Sequence, residues 1–157
     1  LYISNEDHDY LYKKTYPQKG EILITNRGAG CATPSIIVRE VPFTFQNAAL
    51  IGFNQNFIKS SYLHLFLLHM QKSIVDEFVN GGLQPMLSNI KLKEINVLLP
   101  PYEEQKEIVR RVNLSFSTIE KLEQQIDESL KYSENMMRSV LKDAFAQDAT
   151  EEMKECA

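Results

Sequence analysis

The sequence predicts an α+β protein in which a small mixed sheet with its own packed helix is followed by one long helix able to pair as a coiled coil. Three observations lead there. Residues 20–53 hold β-branched runs separated by glycine and proline. From Ser60 onward apolar residues recur every three or four positions. Beyond Pro101 no glycine or proline occurs through Ala157, so nothing stops a helix there.

Ahead of the first strand, Glu6, Asp7 and Asp9 read as a solvated loop. Lys13, Lys14 and Lys19, interleaved with Tyr10, Tyr12 and Tyr16, read as a basic loop rich in aromatic residues. EILITN (21–26) and SIIVRE (35–40) are two strands whose connection carries Gly28, Gly30 and Pro34, and NAALIGF (47–53) is a third. Tyr62, Leu63, Phe66, Leu67, Met70, Ile74, Val75 and Phe78 then line one face of an amphipathic helix. Asn80, Gly81 and Gly82 after it suit a left-handed cap. KLKEINVLLP supplies a further strand at about residues 94–99.

The double proline that follows is a corner from strand to helix. Pro100 lacks an amide hydrogen and ends the strand, and Pro101 pre-sets φ for a first helical position. Glu103, Glu104 and Glu107 then sit near the positive end of the helix dipole. A helix from about residue 103 to 147 is roughly 65 Å long at 1.5 Å per residue. Ile108, Val112, Ile119, Leu122, Ile126, Met136 and Val140 follow heptad a and d positions. Phe116, Leu130, Met137 and Ala144 widen the stripe, and Ser115, Ser129 and Ser133 interrupt it. So long a helix cannot bury its stripe against itself, and a partner helix is expected.

Composition narrows the function. With 157 residues and 43% hydrophobic content the chain is one packed domain plus an appendage, not a disordered segment. The first residue is Leu1 and no basic-plus-apolar leader follows it, which suggests the downstream part of something longer. The apolar run in SSYLHLFLLHM, broken by His64 and His69, has about half the length of a membrane span. Cys31 and Cys156 lie far apart in no ligand or disulfide pattern, so a reducing, cytoplasmic setting is expected. Residues 1–100 hold nine Lys and Arg against eight Asp and Glu, a net of +1. Residues 101–157 hold eight against thirteen, a net of −5. The two regions therefore suit different partners.

No catalytic residue is expected. Adenine amino-methyltransferases carry Asn or Asp before Pro-Pro-Tyr, where a side-chain oxygen accepts a hydrogen bond from the target amine. Here Leu99 precedes Pro100, Pro101 and Tyr102, and leucine accepts nothing. Gly28, Ala29 and Gly30 form a lone GxG without the helix and acid of a cofactor loop. His8, His64 and His69 have no metal spacing, and neither cofactor nor metal is expected.

The order GEILITNRGAG, NAALIGF, amphipathic helix, NGGLQPMLSNIKLKEINVLLPPYEEQKEIVRRV and long helix ending SVLKDAF resembles the specificity subunit of Type I restriction-modification systems. The likeness runs from about Tyr2 to Phe145, and the PP-x-EEQ-xx-IV junction and the G-x-Q-x-x-L-S segment are its most specific parts. It implies a distal target recognition domain at residues 1–101, partial because the family's tryptophan-containing opening segment is missing. It further implies a spacer and docking helix at 102–147, and an acidic tail follows at 148–157. Implied partners are double-stranded DNA and the modification and restriction subunits, with the chain directing them to a bipartite target. A second copy, packed antiparallel along the long helix, stands in for the missing partner helix. DNA contacts need cations for phosphates and amides or guanidinium for base edges. The candidates are Lys13, Lys14, Lys19, Asn26, Arg27, Gln84, Asn89 and Lys91. Without the resemblance, the stripe alone allows a coiled-coil interaction protein with no role at DNA, and Pro-Pro-Tyr a piece of an adenine methyltransferase.

Overall fold

The computed structural model describes residues 4–79 and 85–155, and the side chains of all of these except 143 and 146–155. The chain divides into two compact units, Leu1–Arg110 and Arg111–Ala157.

The first unit opens with a helix, α1 (Asn5–Thr15), where a solvated and then a basic loop was expected. The cause is local. Ser4 Oγ accepts from the Asp7 amide at 3.1 Å and donates to Asp7 Oδ2 at 2.7 Å. Glu6 and Asp7 fill the first turn, Lys13 and Lys14 the last, and both sets oppose the helix dipole. Tyr16, left-handed at φ 42°, ends the helix before the buried Pro17. No residue of α1 is buried, so it has no apolar stripe to reveal it in sequence.

Three antiparallel strands follow, β1 (Ile22–Thr25), β2 (Pro34–Ile36) and β3 (Ala48–Ile51), in the order β2-β1-β3. Ile22 and Ile24 share one face of β1 and are fully buried. The second expected strand is shorter than residues 35–40: Ile37 still exchanges bonds with Gly20 and Glu21, after which the chain leaves the sheet and exposes Val38 and Val41. α2 (Ser60–Phe78) packs on the sheet at β2, and its Leu63, Leu67 and Ile74, four and seven residues apart, join the core of Ile22 and Ile24 with half-buried Met70 and Phe78 at the same spacing. The expected cap at residues 80–82 lies outside the described residues.

The strand expected at residues 94–99 does not form. Ser88 Oγ accepts from Lys91 N at 3.2 Å and starts α3 (Asn89–Glu94) instead. Beyond it the Leu98 carbonyl is bonded by the Tyr62 hydroxyl at 2.7 Å rather than by a neighbouring strand. Burial raises the Tyr62 pKa, with the Glu104 charge adding to the effect, and this keeps the phenol a donor. Pro100 and Pro101 then lead into α4 (Tyr102–Glu155), whose first backbone bond runs from Gln105 N to Pro101 O at 3.0 Å.

Gln105 fastens this corner. Fully buried, its Oε1 accepts from Lys59 N at 2.8 Å, and its Nε2 donates to Phe57 O and Pro100 O, both at 2.9 Å. Both amide protons and the oxygen are used, so the group is buried without an unmet polar atom. One carboxamide thus ties the start of α2 to the start of α4, and Val109 buries one turn later.

The second unit is the rest of α4. Ile119, Leu122, Ile126, Met136 and Val140 are each about half exposed or more, so the heptad stripe is uncovered in the single chain. Ser115 and Ser133 bond back to the carbonyls of Arg111 and Ser129. Val112 is half-buried, and Ile108 belongs to the first unit. Among the described residues no helix is long and apolar enough to cross a membrane.

Candidate nucleic-acid interface

Asn26 and Arg27 continue the line of β1 past Thr25, and two distant segments close around them. The Asn26 amide donates to Asn47 O, and its carbonyl accepts from Leu87 N, each at 2.9 Å. Arg27 pairs with Met86 in an isolated antiparallel bridge, and Gly28 N donates to Pro85 O at 2.9 Å. The result is a rim of three hydrogen-bonded backbone segments, residues 26–28, 47 and 85–87. Arg27 is exposed, and its Nη2 lies 3.5 Å from Met86 Sδ. Gly28 permits the exit from β1 because φ is +95°; a β-carbon there would touch nothing, so the angle and not space demands glycine.

Lys19 stands at the other end of β1. Its ammonium bonds Glu40, which holds that carboxyl below its ordinary pKa, and its carbonyl accepts from Gln55 Nε2 at 2.9 Å. Gly20 takes φ +89°, which favours glycine, and the end of the same Gln55 side chain lies 2.5 Å from where a β-carbon would be. An exposed pair of this kind contributes little to stability. Lys13 and Lys14 are exposed on the last turn of α1. Lys91 is engaged: its Nζ bonds Glu94 at 2.9 Å and sits 6.0 Å from the Phe78 ring centroid. Asn89 is exposed at the start of α3 and borders an apolar cavity of about 720 Å³ along β3. Gln84 lies outside the described residues.

The structure therefore joins Asn26 and Arg27 to one rim and sets Lys19 at the far end of the strand. It also adds residues that the sequence did not single out. Gln46 and Asn47 are exposed beside Asn26, with Asn47 left-handed at φ 58°, and Met86 stands against Arg27. An asparagine at the first position of a predicted strand was the available signal for Asn47. Met86 carried none, because its place depends on pairing across 59 residues. No group of three or more His, Cys, Asp or Glu among the described residues could hold a metal.

Comparison with known proteins is specific at this point. The family model described as Type I restriction modification DNA specificity domain matches residues 3–132. The chain belongs to that family. The Type I restriction enzyme EcoBI specificity subunit of Escherichia coli is 31% identical over 150 residues, which cover 93% of this chain and 31% of that protein. The EcoKI specificity subunit of Escherichia coli K12 is 39% identical over 67 residues, 43% of this chain and 14% of the relative. The StySPI specificity subunit of Salmonella potsdam is 34% identical over a stretch of the same length. The chain spans under a third of the length of these specificity subunits. Within this specificity domain the match takes in the sheet, the rim beyond β1, the Gln105 corner and α4 as far as residue 132.

Proposed function

We propose that the chain is a DNA-recognition module of a Type I restriction-modification complex, acting in the cytoplasm and directing modification and restriction subunits to a bipartite target. The observation that carries this reading is the rim beyond β1, where an exposed guanidinium and exposed amides stand on hydrogen-bonded backbone. Residues 1–101 meet DNA, with Lys13, Lys14 and Lys19 as phosphate contacts, and Asn26 and Arg27 as base contacts. Residues 102–147 are the spacer and docking helix, and 148–157 an acidic tail. The chain performs no chemistry itself: methyl transfer, cleavage and ATP hydrolysis belong to the partner subunits.

The uncovered stripe of α4 supports a finer statement about assembly. Two copies pair antiparallel through Ile108, Val112, Ile119, Leu122, Ile126, Met136 and Val140, a closed two-fold arrangement that supplies two recognition domains. Ser115, Ser129 and Ser133 leave successive layers short of apolar volume and so disfavour a parallel zipper.

A gel shift with random duplexes, run with a Type I modification subunit, tests the function. Retardation together with enrichment of a common motif on repeated selection is expected. Retardation without enrichment leaves a general DNA binder, and none at all leaves a coiled-coil protein.

A further inference from the structure

Three amide side chains at the rim, on Asn26, Gln46 and Asn47, have no hydrogen-bond partner within the described residues, and the adjoining guanidinium of Arg27 meets only a thioether. Two of these residues stood outside the sequence-based candidates.

We infer that Asn47, with Gln46 beside it, is a base-reading residue, and that the rim selects an adenine next to the base pair read by Arg27. The inference rests on the reading of the chain as a DNA-recognition module and names the base chemistry that this module takes.

Placement comes from the ladder. Asn26 N donates to Asn47 O at 2.9 Å, one step beyond the Thr25–Ala48 pairing of β1 with β3, and opposed residues of an antiparallel pair stand about 4.5–5.5 Å apart between Cα atoms. Base pairs are stacked about 3.4 Å apart, so two side chains at that separation reach one pair or the next. Their backbone is held at a left-handed angle in Asn47 and by the Leu87 and Pro85 bonds on the other side of Arg27. Readers on paired backbone lose little freedom on binding.

Chemistry selects the base. An amide offers one donor and one acceptor side by side, the complement of adenine N7 and the N6 amine in the major groove. A guanidinium offers parallel donors, the complement of guanine O6 and N7. Met86 is partly exposed against Arg27, and its apolar end suits the thymine methyl opposite the selected adenine.

The test is duplex selection with the full chain and a Type I modification subunit, comparing the parent with Asn47→Gly and Gln46→Ala. Glycine accepts the left-handed angle at 47, so this variant removes the amide without straining the turn. The parent motif should contain an adenine next to a guanine, and Asn47→Gly should lose about tenfold or more of its discrimination at that adenine alone. Affinity for duplex lacking the motif should be unchanged. A parent motif that Asn47→Gly selects as sharply, or one with no adenine beside the Arg27-dependent pair, overturns the inference and leaves the recognition function standing. A parent with no motif overturns both.

Discussion

Arg27 and Lys13 are both exposed cations, yet the proposed function gives them different work because their settings differ. Arg27 sits on backbone paired with Met86 and can present a fixed pair of donors to a base edge. Lys13 lies on the last turn of a helix that buries nothing, which suits a phosphate but not a base. Arg27→Ala should cost about 1–3 kcal/mol at the chosen sequence and relax the preference there, whereas Lys13→Ala should weaken all duplexes alike and flatten the salt dependence. Titration of chosen and scrambled duplexes at several salt concentrations separates the two. Equal losses on both duplexes from both variants would contradict the assignment. At Gln105 the stakes are structural. Gln105→Leu removes the partner of the Lys59 amide and of the Phe57 and Pro100 carbonyls at a part-buried corner, and each group left unmet costs about 1 kcal/mol or more. A loss of about 3 kcal/mol in urea unfolding is expected, and an unchanged midpoint would refute it.

Elements were legible where packing leaves a periodic trace. Ile22 and Ile24 alternate on a half-buried strand, and Leu63, Leu67 and Ile74 repeat along a covered helix, so β1, β3 and α2 could be read directly. α1 was hidden because its stability comes from Ser4 and from end charges, which leave no apolar repeat. α3 was hidden for another reason: residues 94–97 alternate polar and apolar like a strand, while the deciding feature is the Ser88 cap. The corner at Pro100 was visible, but not the role of Gln105, whose partners Phe57 and Lys59 lie 48 and 46 residues away. Likewise Asn26 and Arg27 were legible as amide and guanidinium at a strand end, and Gln46, Asn47 and Met86 required the fold. In α4, Ile119 and Ile126 expose about half their surface, and the proposed pairing of two copies would cover both. Ile119→Asp combined with Ile126→Asp should turn a dimer into a monomer, because antiparallel pairing would bury both charges without partners. Light scattering at tens of micromolar checks it; a monomeric parent would leave the stripe to a modification subunit.

At the scale of the whole molecule, charge is divided unevenly along the chain. The chain carries a net −4 at pH 7, but residues 101–157 account for −5 and residues 1–100 for +1. Under the proposed function a polyanion is repelled by residues 101–157 and held through local cations and hydrogen-bond matching in residues 1–100, so sequence preference is expected to be large relative to general affinity. Specific sites are commonly bound on the order of a thousandfold or more tightly than random duplex. The most direct measurement is the ratio of dissociation constants for a selected duplex and its scrambled counterpart, with a Type I modification subunit at about 150 mM salt. A ratio on the order of a thousand or more is predicted, falling at least tenfold in Arg27→Ala. A ratio near one for the parent would contradict sequence-specific recognition by this chain.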